Sequence, residues 1–373
     1  MRIAWDGRAL VGSKTGIGWY THHLLSALSR LEAEFTGDLF LNGETPEHFG
    51  PRVRKTVVRF PKTVHLRFFW EGVLLPRALR GERFDLWHSP LAVIPERLGM
   101  ATVATIHDIA FVLFPEIQPA SYRRYWTRWT ERACRRADRL IAVSESTKRD
   151  LLNHFETDPA KIAVVYEAAD PFMAAEPSHE EVNRVRINHN LPESFLLFVG
   201  TLEPRKNLPF LCRVYETAEK RGRKLPPLVA AGGKGWLESE WRDSIARMGG
   251  NVRILGYLDR VDLRVIYRLA SLVLVPSLYE GFGLQAAEAM ASGAAVVAAD
   301  VSALPEVIGE GGVLLPITDP EIWVDKIVEL MENPSLREAL KGKAKLQASL
   351  FSWEKAARET FEVYREAVEQ RGG

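Results

Sequence analysis

The chain has few cysteines, two in 373 residues, Cys134 and Cys212, far apart and at no pairing or metal-binding spacing. That excludes a disulfide framework and suits a reducing compartment, so a cytoplasmic location is expected. Long apolar runs are missing: no stretch of about 18 apolar residues exists to cross a membrane. Met1 to Asp6 lack the apolar core of a signal peptide. Neither sign of charge dominates. Forty-nine Lys and Arg against 48 Asp and Glu leave a net +1, which argues against a dedicated nucleic-acid binder. No Asp/His cluster has metal-ligand spacing, so no metal site is expected. The dinucleotide fingerprint is also absent. In Gly12-Ser-Lys-Thr-Gly16-Ile-Gly18 the third glycine is replaced by Thr21, and the run is not a Gly-Lys-Ser/Thr phosphate loop.

What is present is a regular alternation. Apolar runs at 3–5, 38–41, 56–59, 86–88, 102–106, 140–143 and 163–166 read as strands in the first half. In the second half they fall at 195–199, 228–231, 252–255, 272–275, 295–298 and 312–315. Amphipathic segments at 18–31, 144–155, 208–221, 259–269 and 323–331 lie between them. Strands alternating with such helices form parallel sheets covered on both faces. Thirteen strands are too many for one sheet, so the chain is expected to split. Apolar periodicity fades between Asp170 and Asn190. The expectation is therefore an α/β chain of two Rossmann-like doubly wound domains, 1–170 and 191–352, joined by a linker at 171–190. A last helix, 353–373, carries Phe361, Tyr364 and Val368 on one face.

Chemistry concentrates where strands end. After the run 272–275, Pro276-Ser-Leu-Tyr-Glu280-Gly-Phe-Gly-Leu284 is a glycine-spaced turn into an Ala-rich helix closed by Gly293. Gly281 and Gly283 leave room for a ligand near the backbone, and the helix start offers N–H groups to an anion. Glu280 and Glu288, acceptors when ionised, suit vicinal sugar hydroxyls. At another strand exit, Gly200-Thr-Leu-Glu-Pro-Arg205-Lys206-Asn207 presents a planar fork and a point charge, a pair suited to a diphosphate. Each also has a plain reading, as solvated charges at turns. Gly232-Gly-Lys234-Gly235 is a third glycine-rich exit. His107, after the run 102–106, suits either a sugar contact or a structural bond to the backbone, and His88 is a weaker candidate of that kind.

The ordered set resembles glycosyltransferase family 4, retaining enzymes that use nucleotide sugars and have two facing Rossmann-like domains (GT-B). The likeness runs through Thr15-Gly-Ile-Gly18, His107-Asp108, Ile141-Ala-Val-Ser144, Gly200 to Asn207, Pro276 to Leu284, the spacing of Glu280 and Glu288, and Phe351-Ser-Trp-Glu-Lys355. It implies that Arg205 and Lys206 hold the donor diphosphate, that Glu288 takes the ribose, and that Glu280 takes the transferred sugar. Backbone groups at Gly281, Phe282, Gly283 and Leu284 would help. His107 would face the donor sugar, Gly16 and Gly200 would let the backbone approach the diphosphate, and Tyr257 would lie by the base. The last helix would cross back to the first domain. No cofactor is implied; the nucleotide diphosphate sugar is a co-substrate. The first loop and the run Tyr166-Glu-Ala-Ala-Asp170 depart from many relatives. Overall the motifs look most like mannosyltransferase-type members of surface-polysaccharide assembly, which points to GDP-mannose and a glycan or lipid-linked acceptor.

Two patches bear on the acceptor. Residues 52–80 hold eight Lys or Arg against one acid, Glu71, with aromatics interleaved, and Tyr122-Arg-Arg-Tyr-Trp-Thr-Arg-Trp129 repeats the theme. Read functionally, Arg52 to Arg80 and Tyr122 to Trp129 touch anionic lipid at the inner face of the membrane. Read plainly, they are a solvated helix face with its aromatics in the core. A nucleotide-sugar epimerase and a non-catalytic sugar-nucleotide sensor remain rivals to the transferase.

Overall fold

The computed structural model describes residues 1–59, 69–96, 98–233, 235, 245 and 248–372. The chain divides into two compact units, Met1–Glu167 with Ser352–Gly373, and Ala168–Phe351. In the first, seven parallel strands are ordered β3-β2-β1-β4-β5-β6-β7. They are β1 (Arg2–Asp6), β2 (Thr36–Leu41), β3 (Val53–Val57), β4 (Leu86–Ser89), β5 (Ala101–Ile106), β6 (Arg139–Ala142) and β7 (Ile162–Val164). In the second, β8 (Leu196–Val199), β9 (Leu228–Ala231), β10 (Val252–Gly256), β11 (Leu272–Val275), β12 (Val296–Ala299) and β13 (Gly312–Leu315) pair in the order β10-β9-β8-β11-β12-β13, again all parallel. Each sheet reverses its winding once, between β1 and β4 and between β8 and β11. Ligands bind at such switch points, beyond the carboxyl ends of the strands.

The longer helices are α1 (Gly16–Leu28), α2 (Ala120–Arg136), α3 (Glu145–His154), α4 (His179–Asn188), α5 (Leu208–Lys220), α6 (Arg260–Leu269), α7 (Leu284–Ala291), α8 (Pro320–Glu332), α9 (Pro334–Ala348) and α10 (Trp353–Gly372). Strand β11 shows why the strands form: Leu-Val-Leu-Val has all four side chains buried, as a central strand covered on both faces requires. Pro276 has no N–H to continue the ladder, and its carbonyl accepts from Asn207 Nδ2 at 3.1 Å.

Residues 171–190 are not a bare linker. Asp170 caps a 3-10 turn, Pro171–Ala174. Ser178 and Glu181 then form a reciprocal capping box that starts α4, and Val185 is buried in the second unit. Within the first unit, α10 packs on the sheet through Tyr364, whose hydroxyl accepts from Trp5 Nε1 at 3.1 Å and donates to His88 Nδ1 at 2.6 Å. His88 Nε2 then donates to Thr105 Oγ1 at 2.8 Å. Burial and the nearby His107 pull the His88 pKa down to about 3, so the ring is neutral and structural. No helix among the described residues is long and apolar enough to cross a membrane.

Candidate functional site

In the second unit the loops leaving β8 and β11 meet at the switch point. Asn207 adopts a left-handed conformation (φ 57°) to end the turn Pro204–Lys206 and begin α5. That turn directs Arg205 and Lys206 toward the β11 exit, where Leu278 N donates to Arg205 O at 2.8 Å. Lys206 Nζ donates to Glu280 Oε1 at 2.7 Å, and Arg205 Nη1 to Glu280 Oε2 at 2.9 Å. Ser277 Oγ and Gln285 Nε2 add bonds to Oε1, each 2.6 Å. The Glu280 amide donates to Ser302 Oγ at 2.8 Å. Arg205 also forks onto Glu203, 2.8 and 3.1 Å away. Burial raises the Glu280 pKa, but Lys206 and then Arg205 outweigh it and hold the carboxyl at about 2. The two cations are thus already oriented and balanced by two carboxylates, Glu203 and Glu280.

Gly283 (φ +99°) is the N-cap of α7. That helix start has no capping side chain and no acid in its first turn, leaving it open to an anion. A Cβ at Gly283 would meet Leu304 Cδ2 at 2.8 Å. Gly281 is buried with Phe282, whose ring meets Phe351 edge-on at 5.5 Å, and Leu284 opens the helix. Gly200 and Gly232 close the floor: a Cβ at Gly232 would lie 1.8 Å from Gly200 O, so only glycine lets the β8 and β9 exits touch. Lys234 lies outside the described residues. Tyr257, just past β10, is 65% exposed, enough to offer a ring face to a ligand.

Glu288, on α7, does not stand alone either. Arg260 Nη1 donates to its Oε1 at 2.9 Å, while Arg260 Nε donates to Asp170 Oδ2 at 3.0 Å and Nη2 bonds the same oxygen. Burial pushes the Glu288 carboxyl above its ordinary value although Arg260 pulls it down. The sequence reading missed Arg260, Asp170, Tyr267, Ser277, Gln285 and Ser302 as site residues. Ser277, Glu203 and Asp170 lie within the motifs at the strand exits and near the domain boundary, whereas Arg260 carries no local signal.

In the first unit, His107 follows β5. Its Nδ1 bonds Glu167 at 2.8 Å and its Nε2 the carbonyl of Pro90 at 3.1 Å, with Tyr20 edge-on at 4.6 Å. The ring is thereby held between a carboxylate and a backbone carbonyl. Gly16 opens α1 and is exposed. Gly18 is packed, since a Cβ there would lie 2.6 Å from Ala9 O.

The two basic patches part ways. Of residues 52–80, the segment 60–68 lies outside the described residues. Arg52 bonds the carbonyls of Leu31 and Ala33, Arg54 pairs with Asp38 and Glu82, and Trp70 and Glu71 are buried. In α2, Tyr125 and Trp129 are buried and Tyr122 is exposed. Arg123, Arg124 and Arg128 line a groove of about 420 Å³ together with Phe111, Val112 and Glu131. Phe111 also lines a smaller cavity with His107, Tyr122 and Trp126. Among the described residues Arg124 and Arg128 have no acidic partner.

Two switch points, one with cations and an open helix start, define a GT-B fold, and comparison with known proteins agrees. Sucrose-phosphate synthase from Thermosynechococcus elongatus superposes with a TM-score of 0.76 at 22% identity, covering 98% of each chain. Residues 14–171 match Glycosyltransferase Family 4, and residues 179–347 match Glycosyl transferases group 1. The O-antigen chain mannosyltransferase B of Escherichia coli is 30% identical over 292 residues, 77% of this chain and 76% of that protein. The D-inositol 3-phosphate glycosyltransferase of a Nocardioides species is 33% identical over 299 residues, 74% of this chain and 64% of that one. The chain therefore belongs to glycosyltransferase family 4.

Proposed function

We propose that this glycosyltransferase moves mannose from GDP-mannose, with retention of configuration and without a metal, to a hydroxyl of a phosphate-bearing glycan or lipid-linked acceptor. The observation that carries the reading is the convergence of Arg205, Lys206 and Glu280 beside the open start of α7. In transfer, the bond from sugar C1 to the diphosphate breaks with both electrons going to the diphosphate. The acceptor oxygen bonds C1 on the same face, and its proton passes to the departing phosphate. Charge grows on the leaving group, where the two cations and the helix N–H groups stabilise it. One such contact is typically worth about 3–4 kcal/mol in a transition state.

Glu280 accepts from hydroxyls of the transferred sugar and Glu288 from the ribose hydroxyls; Tyr257 offers its ring to the base. Gly16 and Gly200 let backbone approach the diphosphate. His107, oriented by Glu167, exchanges the Pro90 carbonyl for a sugar hydroxyl without losing a hydrogen bond. The mannose assignment draws on the Escherichia coli relative, and the phosphate on the acceptor draws on the Nocardioides one and on Arg124 and Arg128. The latter pair also suits an anionic lipid surface as the site of an acceptor, from the cytoplasmic side.

Thermal shift across GDP-, UDP- and ADP-sugars, followed by NMR of the glycoside formed, tests this. GDP-mannose should give the largest shift and an α-mannoside. A UDP-sugar in its place would overturn the donor assignment, a β-product the stereochemistry, and conversion of donor to an epimer the transfer itself.

A further inference from the structure

We propose that Arg260 is a positioning residue for nucleotide recognition: anchored on Asp170, it holds Glu288 in the orientation that receives the ribose hydroxyls. This rests on the assignment of Glu288 to the ribose. Arg260 is the first residue of α6, whose start is fixed by Asp259 accepting the Asp262 amide at 2.8 Å. Its guanidinium is a planar fork. One edge, Nε and Nη2, sits on Asp170 Oδ2, and the remaining nitrogen, Nη1, reaches Glu288 Oε1 at 2.9 Å.

Both ends of this bridge are constrained. Asp170 cannot swing, because its other oxygen accepts the Phe172 amide at 2.9 Å. The result is that Glu288 presents Oε1 to Arg260 and keeps Oε2 for another donor. Among the described residues, Oε2 has only the Tyr267 hydroxyl, at 3.5 Å. A carboxylate so held, with about an eighth of its side chain open to solvent, matches a ligand that brings hydroxyl donors. Burial alone would favour the protonated acid, and Arg260 opposes that. A lysine could supply charge here but could not bridge two carboxylates with a rigid fork.

The test uses the full chain and four commercial probes: GDP, UDP and their 2′,3′-dideoxy counterparts, titrated calorimetrically. The tighter ribonucleotide should bind wild type at least about tenfold better than its dideoxy form, a difference of one charge-assisted bond. Arg260→Gln should bring that ratio near one while leaving dideoxy affinity almost unchanged. Arg260→Lys should keep only part of the ratio, and it decides the question if Arg260→Gln does not fold. A ratio preserved in both variants would overturn the positioning role. So would an equal loss of affinity for both nucleotides, which marks a merely structural residue. No ribose preference in wild type would instead remove the assignment of Glu288, and this inference with it.

Discussion

Lys206 and Glu280 lie 74 residues apart in the chain, yet Nζ and Oε1 are 2.7 Å apart in a buried ion pair. Glu280 is the hub of the arrangement, since Arg205, Ser277 and Gln285 bond the same carboxylate. Glu280→Gln keeps the size and the Oε1 bonds but loses the charge facing Lys206 and Arg205, so it should cost up to about 3 kcal/mol of stability while turnover falls about 10²–10³-fold. Glu280→Ala is the harsher change. Leaving two cations without their partner should cost roughly 3–5 kcal/mol of stability. Urea unfolding beside steady-state rates separates the two, and near-normal turnover of a folded Glu280→Gln protein would remove Glu280 from the site.

Two buried groups, Glu280 and His88, make the fold less stable in acid. The Glu280 carboxyl is depressed from 4.5 to about 2, so the stability it supplies is complete above pH 4.5 and is lost as pH falls from there toward 2. Its size is about 3 kcal/mol. His88 is depressed from 6.5 to about 3, so the unfolded chain binds its proton first, and stability falls between pH 6.5 and 3. Urea midpoints measured from pH 7.5 to 3.5 should therefore begin to fall below about pH 6.5. His88→Gln should flatten the upper part of that decline and Glu280→Gln the lower part.

Arg124 and Arg128 are like charges four residues apart on α2, an arrangement that destabilises a helix by a few tenths of a kcal/mol. Replacing both with Ala should leave the melting temperature unchanged or slightly raised. It should also raise KM for a phosphate-bearing acceptor and remove sedimentation with anionic liposomes at low salt, with slow hydrolysis of the donor unaltered. Unchanged KM and unchanged sedimentation would turn the groove into ordinary surface.

Much of this was legible in the residues alone, for reasons that also explain the gaps. All thirteen strands announce themselves because central parallel strands are continuous apolar runs. The least accurate, β3, runs Val53–Val57 against an expected 56–59: it is an edge strand, and Arg54 and Lys55 are exposed. Helix α4 falls where the apolar periodicity fades, because only Val185 is buried, although Ser178 and Glu181 mark its cap. In α2 the plain reading of a helix face with its aromatics in the core holds for Tyr125 and Trp129, which are buried, while Tyr122 is exposed. At the site, the meeting of Arg205, Lys206 and Glu280 follows from strand exits that share one edge of one sheet. The clasp of Arg260 on Asp170 spans 90 residues, and no spacing in the sequence signals it.

The most direct measurement is calorimetric titration of GDP-mannose into the wild-type chain and into Lys206→Ala. Saturable binding by wild type, weakened at least about tenfold in a folded Lys206→Ala protein, is the expected result. Equal affinity for the two proteins, or no binding of any nucleotide sugar to wild type, would contradict the account.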